Sequence, residues 1–303
     1  MTRSLPAALA LLVMLSAPAL AAPPGFAFLE VPAGARASAM GGAYMAVADG
    51  VEAAFWNPAG LEGVQGLQLS ATHYEYFANL RHEQFALGGR MFGGGIAGSV
   101  RAMYTEPIEE RDALGNLVGT FGAHDLEFQL GYGRRASAGT TFGFAAQMVR
   151  ERIASESAMT WGVSAGMGWE PARVKDLKFS IAAQHAGPAA HYEFDGQEGS
   201  PVSLPAALHG GVAWHKTLGG SLALTPALDV RATRGRSAIV ALGGELDSET
   251  GLALRMGVRN GDDIANISAG AGWRYHAYRV DYAWVPSKLD LEDTHRFSFS
   301  ATF

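Results

Sequence analysis

From Phe297 onward every second residue of this chain is apolar: Phe297, Phe299, Ala301 and Phe303. Ser298, Ser300 and Thr302 occupy the places between them. A period of two puts one set on each face of a β-strand, so the last strand is greasy on one side and polar on the other. The other end carries a secretory pattern. Residues 1–21 read as a signal peptide, with Arg3 as the positive end, an apolar run from Leu5 to Leu15, and small residues suited to cleavage after Ala21 or Ala22. Past that leader no apolar stretch is long enough to cross a membrane as a helix. An exported chain with such strands crosses lipid only as a closed barrel, because an open sheet edge leaves backbone groups unpaired in hydrocarbon.

Composition agrees. Charged residues make up 17% of the chain, and 39 of its 303 residues are glycine. Soluble domains carry about 25% charged residues and about 7% glycine. Few charges and many aromatics suit an outer wall that faces lipid. Cysteine is absent, which excludes disulfides, thiol chemistry and a cysteine-linked lipid. A formal net charge of −6 gives no nucleic-acid footprint.

Fourteen segments have strand character: 66–77, 80–91, 94–105, 121–134, 138–151, 158–169, 174–186, 204–216, 219–232, 237–247, 250–259, 263–274, 276–285 and 294–303. The even-numbered connections are tight: Phe92-Gly93, Arg135 to Ser137, Glu170 to Arg173, Thr217-Leu218, Ser248-Glu249 and Tyr275. The longest connections, 106–120, 187–203 and 286–293, are all odd-numbered. Short turns on one rim and long loops on the other mark an outer-membrane barrel. The expected fold is therefore all-β, a 14-stranded antiparallel transmembrane β-barrel over residues 66–303, with both termini at the short-turn, periplasmic rim.

Alternation is clearest late in the chain. Ile267, Ala269, Ala271, Trp273 and Tyr275 are expected to face lipid, as are Tyr278, Val280, Tyr282 and Trp284. Arg274, Arg279 and Asp281 fall on the opposite, luminal face, where they are expected to pair across strands. Tyr74, Tyr76, Phe77, Trp161, Trp169 and Trp214 are candidates for the aromatic girdles.

Residues 22–65 do not read as a spanning strand. Gly34, Gly41, Gly42, Gly50 and Gly60 interrupt an alanine-rich pattern, with a short helix or turns expected from Ser38 to Ala48. Asn57-Pro58-Ala59-Gly60 is a turn signal. An apolar, glycine-rich stretch of this length needs burial, and the lumen of a large barrel supplies it. The segment is thus expected to be a plug, with Gly41-Gly42 approaching the wall closely.

Three groups of residues carry a resemblance: Gly34-Ala35-Arg36-Ala37-Ser38-Ala39-Met40-Gly41-Gly42-Ala43, Val47-Ala48-Asp49, and Trp56-Asn57-Pro58-Ala59-Gly60-Leu61. Together with Asp281-Tyr282-Ala283 and Thr294-His295-Arg296-Phe297-Ser298, they resemble the PorV/PorQ family, related to the long-chain fatty acid transporter (FadL-like) barrels. The resemblance implies a fourteen-stranded barrel whose plug includes Asn57-Pro58-Ala59. It also implies one of two roles. As in PorV-like proteins, the barrel serves type IX-like protein secretion as a docking or shuttle platform for secretion components or cargo. The alternative is passive transport of hydrophobic small molecules such as long-chain fatty acids. The modest loops favour the first. Outer-membrane lipid and the barrel assembly machinery are expected partners, and terminal Phe303 resembles the signal that machinery reads.

No catalytic set emerges. His295 and Ser298 lie on opposite strand faces. Glu106, Glu109, Glu110, Arg111 and Asp112 match no calcium loop and read as a solvated rim. His185, His191, Glu193 and Asp195 border a loop without a tight metal motif. No cofactor, metal or enzymatic activity is expected.

Overall fold

The computed structural model describes residues 24–76, 79–194, 197–262, 265–288 and 291–303. The leader, Phe77 and Asp195 lie outside the described residues. The barrel wall consists of β1 (Gln68–Glu75), β2 (Leu80–Met91), β3 (Gly94–Thr105), β6 (Ala123–Ser137), β7 (Thr140–Ile153), β8 (Glu156–Trp169) and β9 (Leu177–Ala186). It continues through β12 (Ala207–Trp214), β14 (Leu222–Thr233), β15 (Ile239–Ser248), β16 (Leu252–Asn260), β17 (Ile267–Tyr275), β18 (Tyr278–Val285) and β19 (Thr294–Thr302). Each pairs antiparallel with the next, and β19 pairs with β1, so the sheet has no free edge in these fourteen strands.

Five short strands lie outside this count. β4 (Ile108–Arg111) pairs with β5 (Leu117–Phe121), and β10 (Ala190–Phe194) with β11 (Gln197–Val202). The two longest loops are therefore hairpins, both on the rim away from Phe303. β13 (Lys216–Gly219) continues β12 past His215 and pairs with β14. The turn there is not at Thr217-Leu218 but beyond it, where Gly219 and Gly220 take positive φ. Likewise Tyr275 stays in its strand, and the turn uses His276 and Ala277.

Burial on the wall is inverted relative to a soluble sheet. On β16, Leu254 is 64% exposed and its neighbour Arg255 only 4%. Phe128, Phe144, Trp161, Met256, Trp273, Val280, Phe297 and Phe299 are also outward and exposed. Ser99, Glu127, Gln129, Asp229, Glu245, Ser268 and Asp281 are inward and buried. Exposed apolar area on this scale is a surface awaiting an apolar solvent.

What buries the inward face is the chain's own N-terminal segment. It contains a one-turn helix, Ala35–Ala39, and 3₁₀ turns at Ala27–Glu30, Gly50–Phe55 and Pro58–Gly63. The helix begins before Ser38 and the stretch beyond Ala39 forms turns, because Gly41 and Gly42 take φ of 68° and 85° and end it. Most of residues 26–64 are buried.

The segment runs from one rim to the other. Phe26 N donates to Glu151 Oε2 at the distal end of β7, whereas Leu67 and Phe303 exchange backbone hydrogen bonds at the opposite, terminal rim. The barrel's first and last strands do meet at one rim, but the described chain begins at the other. From Phe26 onward the segment therefore traverses the lumen before β1 begins.

Candidate functional site

The lumen is a polar shell around an inserted backbone, and the shell's side chains satisfy that backbone directly. Gly34 N donates to Gln84 Oε1, Ala35 N to Ser298 Oγ, and Gly41 N to Ser268 Oγ. Tyr44 N and Met45 N both donate to Asp229 Oδ2, at 3.0 and 2.8 Å. Gln129 and Gln184 donate side-chain amides to the carbonyls of Ala54 and Trp56. Irregular backbone buried away from water needs such partners. Here the luminal Ser, Gln and Asp side chains of the strands supply them.

Glycine supplies the room. A Cβ on Gly257 would collide with Met40 and Gly41, and one on Gly143 with Pro58 and Ala59. Of the pair expected to approach the wall, Gly41 lies against Gly257 and Val258, whereas Gly42 faces Pro32 and Trp56 of the segment itself. The wall partners Gly243, Gly257 and Gly270 stand at inward positions of adjacent strands, a spacing visible in the sequence only once the strands are paired. Asn57 caps the turn that follows: its Oδ1 accepts from Ala59 N, Pro58 occupies the first position, and its Nδ2 donates to Met167 O. Gly60 fits tightly under the Ala48 carbonyl.

Arg36 ties the segment to the wall. Its Nε and Nη2 donate to the two carboxylate oxygens of Glu245 at 2.8 and 2.5 Å. Arg255 Nε donates to the same Glu245 at 2.5 Å, and Arg255 Nη1 lies 2.9 Å from Asp281. Arg279 pairs with Asp281 at 2.8 Å and reaches Glu245 at 3.6 Å. Three guanidiniums thus share two carboxylates on the inner wall. Burial pushes the Tyr44 hydroxyl well above the ordinary tyrosine range. It stays protonated, accepts from Arg36 and donates to Glu52.

Arg274 departs from its expected role. It is luminal, but β17–β18 register sets it opposite Arg279, not opposite an acid. Tyr74 also differs from its expected place in a girdle. It points inward, donates to Pro32 O and lies under the Arg296 guanidinium. His185 lies within β9, as its strand pattern predicts, but its ring faces the lumen. A register shift between β8 and β9 forms a bulge, His185 takes φ of 56°, and its ring hydrogen-bonds Gln147. A bulge aims consecutive side chains the same way, so Gln184 and His185 are both buried in the lumen. No periodicity in the sequence signals it.

The two ends of the lumen differ. At the distal end Phe26, Phe28 and Leu29 pack with Val149, Ala158, Ala190 and Leu204 in a closed apolar cluster. At the terminal end a cavity of about 410 Å³ opens between the segment and the wall. Arg36, Asp49, Glu245, Arg255, Arg274 and Arg279 are among its lining residues.

These features define a closed fourteen-stranded antiparallel barrel with a segment of its own chain in the lumen. The Pseudomonas putida toluene transporter TodX shares this fold: a superposition has a TM-score of 0.62 at 13% identity, over 89% of this chain and 98% of that one. A FadL homologue of Pseudomonas aeruginosa superposes with a TM-score of 0.51 at 10% identity, over 88% and 97% of the two chains. No protein-family model matches the sequence, and no curated protein matches it. At these identities the likeness is one of fold.

Proposed function

We propose that this chain is an outer-membrane channel for apolar small molecules, closed at rest by residues 24–65. The observation that carries the reading is the distal cluster. Phe26, Phe28 and Leu29 fill an apolar space at the mouth, and a second apolar cluster, with Met40, Trp56 and Leu61 against wall alanines, lies further in, so the mouth is lined for an apolar guest and filled by the chain itself. Displacing that segment opens a path towards the terminal cavity. The exposed apolar belt supports insertion in a membrane, and the short-turn rim is taken as periplasmic. The likeness in fold to a toluene transporter and a FadL homologue is consistent with this reading. It favours small-molecule transport over the secretion platform implied by the PorV/PorQ resemblance, for which no surface feature speaks comparably.

The test is uptake into proteoliposomes. The full chain should admit a monoaromatic or long-chain apolar probe while excluding sucrose. Equal exclusion of both, in a barrel whose mobility on gels is heat-modifiable, would overturn the channel reading.

A further inference from the structure

The terminal cavity holds a charge arrangement that restraint of the N-terminal segment does not use. Arg274 and Arg279 stand directly opposite each other across β17 and β18. Like charges placed so destabilise a strand pair. Arg279 is compensated by Asp281 and Glu245. Arg274 is not: its side chain is exposed on the cavity, with no ion pair or hydrogen bond to any described residue.

Behind this pair, Arg36 and Arg255 converge on Glu245. Arg255 is buried, and its Nη2 has no acceptor. Three guanidiniums therefore share two carboxylates, Glu245 and Asp281, with Asp49 as a further acid 3.7 Å from Arg36, and Arg274 is left outside this network. The cavity's other acids, Glu170, Asp176 and Asp247, come from the β8–β9 turn and β15. Lys178 and His215 sit in that same sector. Acids and bases balance over the lining as a whole, so the uncompensated charge is that of Arg274, which faces about 410 Å³ of open space.

We propose that this cavity is an oxyanion site, which takes a carboxylate or phosphate group between Arg274 and Arg279. A guanidinium fork matches both groups; Arg274 offers one with no described partner, and Arg279, held by Asp281 and Glu245, adds its charge from the opposite strand. A bound oxyanion relieves the Arg274–Arg279 repulsion, which gives the opposed pair a reason to exist. The site does not depend on passage through the barrel. The oxyanion has two sources, a free small anion or the acid head of an apolar compound, and the same chemistry serves both.

The experiment is calorimetric titration of the detergent-solubilised full chain with inorganic phosphate and, separately, with octanoate. Saturable binding of one equivalent is expected for at least one probe. Phosphate binding assigns the site to free anions, and octanoate alone to acid-headed apolar compounds. Arg274→Gln should weaken it on the order of tenfold, the loss of a charge-assisted pair of hydrogen bonds. Arg274→Lys, which keeps charge without the fork, should fall between. Arg274 is exposed, so these variants should retain the heat-modifiable barrel, which is checked first. No saturable binding of either probe, or binding that Arg274→Gln leaves unchanged, would overturn the site.

Discussion

The two ends of the lumen hold the same segment by different balances of apolar and ionic contact. The distal end packs phenylalanine and leucine against Val149, Ala158, Ala190 and Leu204, and adds a rim ion pair of Glu30 with Arg236. The terminal half uses Arg36 on Glu245, with Arg255, Asp281 and Arg279 behind them. An apolar seal is broken by a guest of similar polarity, which replaces each contact it removes. A buried ionic anchor is not, because separating it strands charge. The asymmetry suggests that the distal end yields first while Arg36 keeps the rest in place.

The strongest way to break this comparison is to remove the segment altogether. Deleting residues 34–60 should leave an assembled barrel and raise sucrose permeability many-fold in liposome swelling. Unchanged permeability in a heat-modifiable barrel would show that these residues do not close the lumen.

Next in size is the anchor. Arg36→Gln leaves Glu245 with one fewer cation, and Glu245→Gln strands Arg36 and part of Arg255. Breaking a buried pair costs about 3–5 kcal/mol, so each variant should increase spontaneous conductance in planar bilayers. The double variant should be milder than the sum of the two. Additive effects would mean that the pair does not act as a unit. At the other end, Phe26→Ala with Phe28→Ala should accelerate uptake of an apolar probe while leaving ion conductance near its resting level. Matching changes in both would erase the distinction between the ends.

Much of this was legible in the residues. Strands 80–91 and 94–105 are found at the bounds their patterns give, because an outer wall in lipid and an inner wall in polar contact impose strict alternation. The loop sorting was legible for the same reason: turns of two residues need glycine or its equivalents, and long hairpins do not. The luminal placement of Arg279 and Asp281 follows from parity alone. Their partners do not, since Glu245 and Arg255 lie on other strands and their pairing is set by closure of the barrel. Nor does the path of the N-terminal segment, whose hydrogen bonds go to Gln84, Asp229, Ser268 and Ser298. Those side chains look like ordinary luminal polarity until a backbone is laid against them. The His185 bulge is invisible in the same way, because one extra residue shifts parity without altering composition.

The smallest expected effect separates two jobs of one side chain. Asn57 accepts from Ala59 N at 3.0 Å and donates to Met167 O at 3.3 Å. Asn57→Ala loses both, which for a cap amounts to about 1 kcal/mol. Asn57→Asp keeps the cap oxygen but turns an acceptor towards the Met167 carbonyl in a buried site. If the wall contact matters, the aspartate variant should be the less stable of the two, despite its better cap, because an unpaired buried acceptor costs more than an absent one. Thermal melts in detergent at neutral pH decide it. An aspartate variant as stable as wild type would mean that Asn57 serves only its own turn, and that this stretch rests on the wall through Gly143 and Gly166 without being fastened there.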